Sequence, residues 1–155
     1  MRAIADRFYA ALAQRDAEGV AACYADDAVF SDPVFGELRG EAVRDMWRML
    51  LGRSSGDMTT SIVRLGGSAD GTTLQMHVTI DYTFSRTGNR VSNRIATFMM
   101  FRDGRIARQT DDFDFYRWAR QAFGIAGWAA GWMPAFRRKV QSEAAAGLAR
   151  FQARR

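Results

Sequence analysis

Thr73-Leu74-Gln75-Met76-His77-Val78-Thr79-Ile80-Asp81-Tyr82-Thr83-Phe84 is the stretch that decides the fold. Leu74, Met76, Val78, Ile80, Tyr82 and Phe84 recur at every second position, with Thr73, Gln75, His77, Thr79, Asp81 and Thr83 between them. That period belongs to a β-strand with one face in a core and the other open. Downstream, Thr87-Gly88-Asn89 predicts a turn and Val91 to Arg102 another strand. Asp103-Gly104 is a strong two-residue hairpin signal and leads into a strand from Arg105 to about Phe113. Upstream, Met58 to Leu65 predicts a strand that ends in the loop Gly66 to Gly71. Together the four form an antiparallel meander.

Further upstream the period changes to that of helices. Ile4, Phe8, Ala11 and Leu12 make one stripe in a helix from Arg2 to Gln14. Asp16 predicts the N-cap of a short helix ending near Tyr24, with Val20, Cys23 and Tyr24 inward. A short strand, Ala28 to Ser31, is predicted to stop at Asp32-Pro33, because proline has no N–H for a ladder. Glu41 to Leu51 reads as a third helix with Val43, Met46, Trp47 and Leu50 buried and Gly52 as its C′ residue. Three helices followed by a meander indicate an α+β domain, its helices packed on one face of a curved antiparallel sheet.

After the sheet the pattern is helical again. Phe115, Trp118, Ala119, Ala122 and Phe123 share a face, and Gly124 ends that helix. Ile125 to Met133 is apolar, with Trp128 and Trp132 four residues apart. Pro134 opens a last helix with the stripe Phe136, Val140, Ala144, Leu148 and Phe151. Residues 1–124 are read as a pocket domain and 125–155 as a helical extension in the same folding unit. The uncharged stretch between Arg120 and Arg137 is 16 residues long and broken by Gly124 and Pro134, whereas a spanning helix needs roughly 20.

The charge is uneven. Of 22 basic and 17 acidic residues, six basic and one acidic lie from Pro134 onward, leaving 16 of each before it. The excess of +5 therefore belongs to the last segment. Nucleic acid is not an expected partner, because these basic residues lack interleaved aromatics at a stacking surface. Two roles stay open for the segment: folding back over the domain or a partner subunit, or lying on a membrane surface. The lone cysteine, Cys23, reads as a small buried hydrophobe, and no secretory signal is seen, so a cytoplasmic setting is expected. One histidine and one cysteine cannot build a typical zinc site, and no acidic cluster has calcium-loop spacing, so no metal is expected.

The run Arg7-Phe8-Tyr9, Asp16, Tyr24-Ala25-Asp26-Asp27-Ala28, Asp32-Pro33, Gly36 and Arg39-Gly40 closely resembles the start of SnoaL-like and ketosteroid isomerase-like proteins. Phe101-Arg102-Asp103-Gly104-Arg105-Ile106 resembles the hairpin before their last strand. The resemblance covers about residues 1–115 and places the chain in the nuclear transport factor 2-like superfamily. It implies a cone-shaped pocket for a small apolar molecule, homodimers through the open sheet face that carries His77, Thr79 and Asp81, and no cofactor. This fold carries enzymes and non-enzymes alike.

Carried over residue by residue, the resemblance makes Asp32 the proton-shuttling base. The isomerases' oxyanion tyrosine falls at Phe8, which has no hydroxyl, and their second oxyanion donor falls near Thr97. A supporting tyrosine is kept as Tyr24 and another is replaced by Trp47. Loss of both strong donors argues against steroid isomerisation, whose rate depends on stabilising an enolate. Counting from the Asp103-Gly104 turn, Gln109, Asp111 and Phe113 share one strand face and Arg108, Thr110 and Asp112 the other. The cyclases' catalytic aspartate lies on this strand, at Asp111 by resemblance, while Asp112 and Asp114 read as acids favouring a helix N-terminus. Asp32 and Asp111 are thus expected to reach one pocket lined by Phe8, Leu12, Tyr24, Phe30, Trp47, Ile80, Tyr82, Ile95, Thr97, Met99, Gln109 and Phe113. Paired carboxylates in an apolar cavity split their pKa values, giving one base and one acid. The alternative expectation is a ligand-binding module whose carboxylates are structural.

Overall fold

The computed structural model describes residues 2–155. The helices α1 (Arg2–Ala13), α2 (Ala17–Ala22) and α3 (Glu41–Arg53) share a core with one face of a six-stranded sheet. The strands are β1 (Tyr24–Asp32), β2 (Gly36–Arg39), β3 (Thr59–Gly67), β4 (Thr73–Thr83), β5 (Arg90–Arg102) and β6 (Arg105–Asp112). Their order is β2-β1-β6-β5-β4-β3, in a curved sheet that stays open. The helices α4 (Phe115–Phe123), α5 (Ile125–Ala130) and α6 (Pro134–Gln152) follow. None of the helices among the described residues is long and apolar enough to cross a membrane.

The meander of β3 to β6 is antiparallel throughout, with His77 opposite Ala96 and Thr97 opposite Asp111. Alternation along β4 and β5 sends Leu74, Met76, Val78, Ile95, Thr97 and Met99 inward, while His77 is exposed on the open face. Asp103 and Gly104 both have positive φ, as the predicted hairpin turn requires. Asp16 caps α2 by accepting a hydrogen bond from the Gly19 N–H at 2.9 Å, and Cys23 is buried.

Several boundaries differ from the sequence reading. The strand expected at Ala28 to Ser31 runs from Tyr24 to Asp32, because α2 stops at Ala22 and β1 gains ladder partners on both sides. Its partner β2 was not foreseen. Asp32-Pro33-Val34-Phe35 does not end the sheet but turns it into a hairpin, which Gly36 completes at φ 67°. The sheet therefore has six strands, and β1 runs parallel to β6, with Phe30 beside Gln109 and Ser31 beside Thr110.

Helix α3 also runs past Gly52 to Arg53, so that glycine lies within the helix and is no C′ residue. Leu50 faces solvent, whereas Met49 and Leu51 are in the core. The helix has more than one covered side: buried Asp45 takes hydrogen bonds from Gln152, the last residue of α6, and from Arg155 beyond it.

Candidate functional site

Asp32 stands at the end of β1, one step beyond the Ser31–Thr110 pair, and so lies beside Asp111 on the adjacent parallel strand. Each is one residue beyond the pair Ser31–Thr110, so both side chains leave the inner face of the sheet. The two aspartates stand 79 residues apart in the chain, and no local sequence pattern connects them.

The surroundings of the two acids differ. Asp32 Oδ1 accepts from the Val34 N–H at 2.9 Å and the Phe35 N–H at 2.6 Å. These two bonds fix the β1–β2 turn, as a turn aspartate does. Burial outweighs them and raises the Asp32 carboxyl to about 6, well above its ordinary value. Asp111 is deeper. Thr97 Oγ1 donates to its Oδ1 at 2.9 Å, and Gln109 Nε2 donates to both its oxygens at 3.1 Å. Burial again dominates, with the charge of Asp32 adding to it, and raises Asp111 to about 7.

Behind Asp111 runs a buried polar chain. Trp47 Nε1 donates to the Tyr24 hydroxyl at 2.9 Å, and that hydroxyl donates to Gln109 Oε1 at 2.7 Å. Gln109 then presents its amide to the acid, so each polar atom of the chain has a partner. Phe8 packs edge-on against Tyr24 and Trp47, with ring centroids 5.8 and 5.4 Å apart, and Phe30 meets Trp47 at 6.0 Å. Removing water in this way is what makes the carboxylates hard to ionise.

Sequence reasoning missed Tyr9. It is buried against Thr97, and burial, then the charge of Asp111, pushes its hydroxyl well above the ordinary tyrosine value. The spacing Ala5, Phe8, Tyr9, Leu12 follows one helix face and marks it as inward-facing. The site thus has a buried phenol next to Phe8.

The expected lining residues form parts of two cores. Phe8, Leu12, Tyr24, Phe30, Trp47 and Met99 belong to the main one, with Ile80 against it. Tyr82 and Phe113 pack instead against a second core of Val91, Phe115, Trp118, Ala119, Ala122 and Val140. Ile95, Thr97 and Gln109 are buried, while Asp32 is half-buried. A depression of about 480 Å³ opens elsewhere, between the start of α1 and the β3–β4 loop, and shares no residue with this set.

The second core closes the Asp32 end of the sheet. Trp118 Nε1 on α4 donates to the Tyr82 hydroxyl at 2.9 Å, and burial, with the charge of Asp32 adding to it, pushes that hydroxyl up to about 12. Gln141 Nε2 on α6 donates to the Pro33 carbonyl at 3.0 Å. Asp114 caps α4 by accepting from the Arg117 N–H at 3.0 Å, and Asp112 is exposed, so of the three neighbouring acids Asp111 is the inward one.

Helices packed on a curved, mostly antiparallel sheet with one parallel pair define the class of small α+β proteins foreseen above. Residues 5–109 match the family model described as the SnoaL-like domain, and the chain belongs to that family, within the nuclear transport factor 2-like superfamily. The α4–α6 helices lie beyond the matched residues. No curated protein sequence matches the chain. Among solved structures it is similar to a Bacillus subtilis protein provisionally assigned as an isomerase, at 22% identity and TM-score 0.66 over 78% of this chain and 90% of that one. It is similar to a protein of Xanthomonas campestris provisionally assigned as a polyketide cyclase, at 18% identity and TM-score 0.65 over 78% and 95%. It is also similar to an LEH-like epoxide hydrolase of M. tuberculosis, at 22% identity and TM-score 0.56 over 84% and 93%. At these identities the likeness is one of fold.

Proposed function

We propose that the chain holds a small, largely apolar molecule at Asp32 and Asp111 and acts on it by cofactor-independent acid–base chemistry. The observation that carries this reading is the pair of neighbouring inner carboxylates raised to about 6 and about 7. At neutral pH Asp32 is mostly ionised and serves as the base, while Asp111 holds its proton about half the time and serves as the acid. The reaction class is isomerisation, cyclisation or hydrolysis, the range of activities named for structures of this fold. Thr97 spends its hydroxyl on Asp111, and Phe8 offers no donor, so enolate stabilisation of the steroid-isomerase kind is not part of the reading.

The test is a screen of apolar carbonyl, epoxide and polycyclic compounds, followed by Asp32→Asn. The amide keeps the shape of the side chain and loses the base, so turnover of any substrate found is expected to vanish with folding intact. Full activity in that variant would end the catalytic assignment. A second reading, a non-catalytic binding module, is favoured by the tight packing of the lining residues; ligand copurification without turnover supports it. In either reading we place the chain in the reducing cytoplasm, where a lone buried thiol suits it. We further propose a homodimer through the open sheet face, where Val63 and Met100 are exposed beside His77. Sedimentation that finds only monomer at micromolar concentration removes the dimer.

A further inference from the structure

Helices α5 and α6 part company in how they use their apolar residues. Helix α6 docks: Leu148 and Phe151 join the main core, and Val140 and Phe136 join the second. The stretch of α5 and the turn after it, residues 125–133, puts its small residues against the protein instead. Gly127 and Gly131 are buried against Ala119 of α4, so close that a Cβ on Gly127 would sit 1.9 Å from the Ala119 carbonyl oxygen. Its large residues are left outside: Ile125 is 87% exposed, Trp128 65%, Trp132 67% and Met133 40%. Tyr116 Oη holds the segment by donating to the Trp128 carbonyl at 2.9 Å, so the tip has a defined attachment.

The charge around this tip is of one sign. Residues 125–133 carry no charge, and Arg117, Arg120, Arg137, Arg138 and Lys139 flank them. All five are exposed and make no ion pair among the described residues. From Phe115 to the end there are eight basic residues and one acid, Glu143, which pairs with Arg86. Residues before Phe115 carry 14 basic and 16 acidic groups, so the positive field belongs to this end of the molecule.

We propose that the α5 tip is a docking surface for an anionic phospholipid bilayer. Indole rings and an isoleucine enter the headgroup–acyl boundary while the flanking guanidinium groups meet lipid phosphates. Charge complementarity selects this occupant. A second copy of the tip brings the same positive rim and is repelled, and a bare polyanion gives the tryptophans nothing to bury into.

The full-length chain is cosedimented with vesicles of phosphatidylglycerol mixed with phosphatidylcholine, and with phosphatidylcholine alone. Binding is expected to the anionic vesicles, with a blue shift of tryptophan emission, and to weaken as salt rises. Trp128→Ala with Trp132→Ala is expected to lower partitioning by on the order of tenfold or more. Arg117→Glu with Arg120→Glu, which changes only exposed side chains, is expected to abolish the preference for anionic lipid. Absence of binding by the wild-type chain overturns the proposal. So does binding that survives loss of both tryptophans, which assigns the charge to polyanions in general. A tryptophan variant that loses a dimer, from a wild-type chain that ignores vesicles, assigns the tip to self-association instead.

Discussion

Gln109 donates from Nε2 to both carboxylate oxygens of Asp111 while its Oε1 accepts the Tyr24 hydroxyl, so one buried amide joins an acid to a phenol. Gln109→Leu removes a bond that favours the ionised acid, and Asp111 is then expected to titrate above its present value of about 7. The variant also strands the Tyr24 hydroxyl, at a cost of about 1–3 kcal/mol. Carbon-detected carboxyl titration and urea unfolding measure the two effects. An unchanged titration would show that the Gln109 amide does not favour the ionised acid.

Stability is expected to fall as pH rises from about 4 to about 7. Both acids have folded-state values raised above the 3.8 of the unfolded chain, so the folded state keeps their protons longer. Their contribution is fully present below the unfolded value and is lost as pH rises through about 6 for Asp32 and about 7 for Asp111. For Asp111 the loss is on the order of 4 kcal/mol. Asp111→Asn removes that titration, and unfolding midpoints measured across the range should then depend less steeply on pH. An equally steep fall in the variant would contradict the assignment.

If turnover is found, its kcat/KM is expected to follow a bell, rising as Asp32 ionises near 6 and falling as Asp111 ionises near 7. Asp111→Asn should remove the high-pH limb and leave the low-pH one. A high-pH limb that persists in the variant belongs to another group.

Gly127→Ala places a methyl group against the Ala119 backbone, where no flexible side chain can give way. The expected outcome is displacement of α5 and a loss of about 1–3 kcal/mol, the range for overpacking. Thermal unfolding reads the loss, and quenching of Trp128 and Trp132 by iodide reads the displacement.

A chain ending at Gly124 lacks Val140 and Phe136, which cover the second core, and Leu148 and Phe151, which add to the first. It is expected to aggregate or to bind a hydrophobic dye. A stable, monodisperse product would show that the helices beyond Gly124 are dispensable for covering those cores.

The inward set of β4, β5 and β6 was readable because alternation and the Asp103-Gly104 turn settle which residues share a face. That count puts Asp111 and Asp112 on opposite faces, and only the family resemblance points to Asp111 as the inward one. The bond from Trp47 to Tyr24 joins two side chains whose joint importance only the family resemblance suggested. The parallel pairing of β1 with β6 left no local mark, since strand periodicity says nothing about a partner some 80 residues away. Tyr9 shares the buried face with Phe8, and helical spacing alone does not tell a phenol that packs from one that borders a site. The apolar segment and the last helix are expected to share one fate, folding back or lying on a membrane; they divide because Gly127 and Gly131 let the segment meet α4 through backbone, leaving the bulky residues outward.

The β1–β6 pairing also bears on how the chain folds. Ser31 and Thr110 meet across 79 residues of sequence, whereas the β5–β6 hairpin closes over two. Loop-closure entropy must be met before that distant contact returns anything, so the meander is expected to form first and β1 to join it later. Asp32 reaches Asp111 only at that late step. A ribosome that has not yet released β6 therefore carries a chain with both its acids made and no site, and substitutions along β1 should slow refolding less than they speed unfolding.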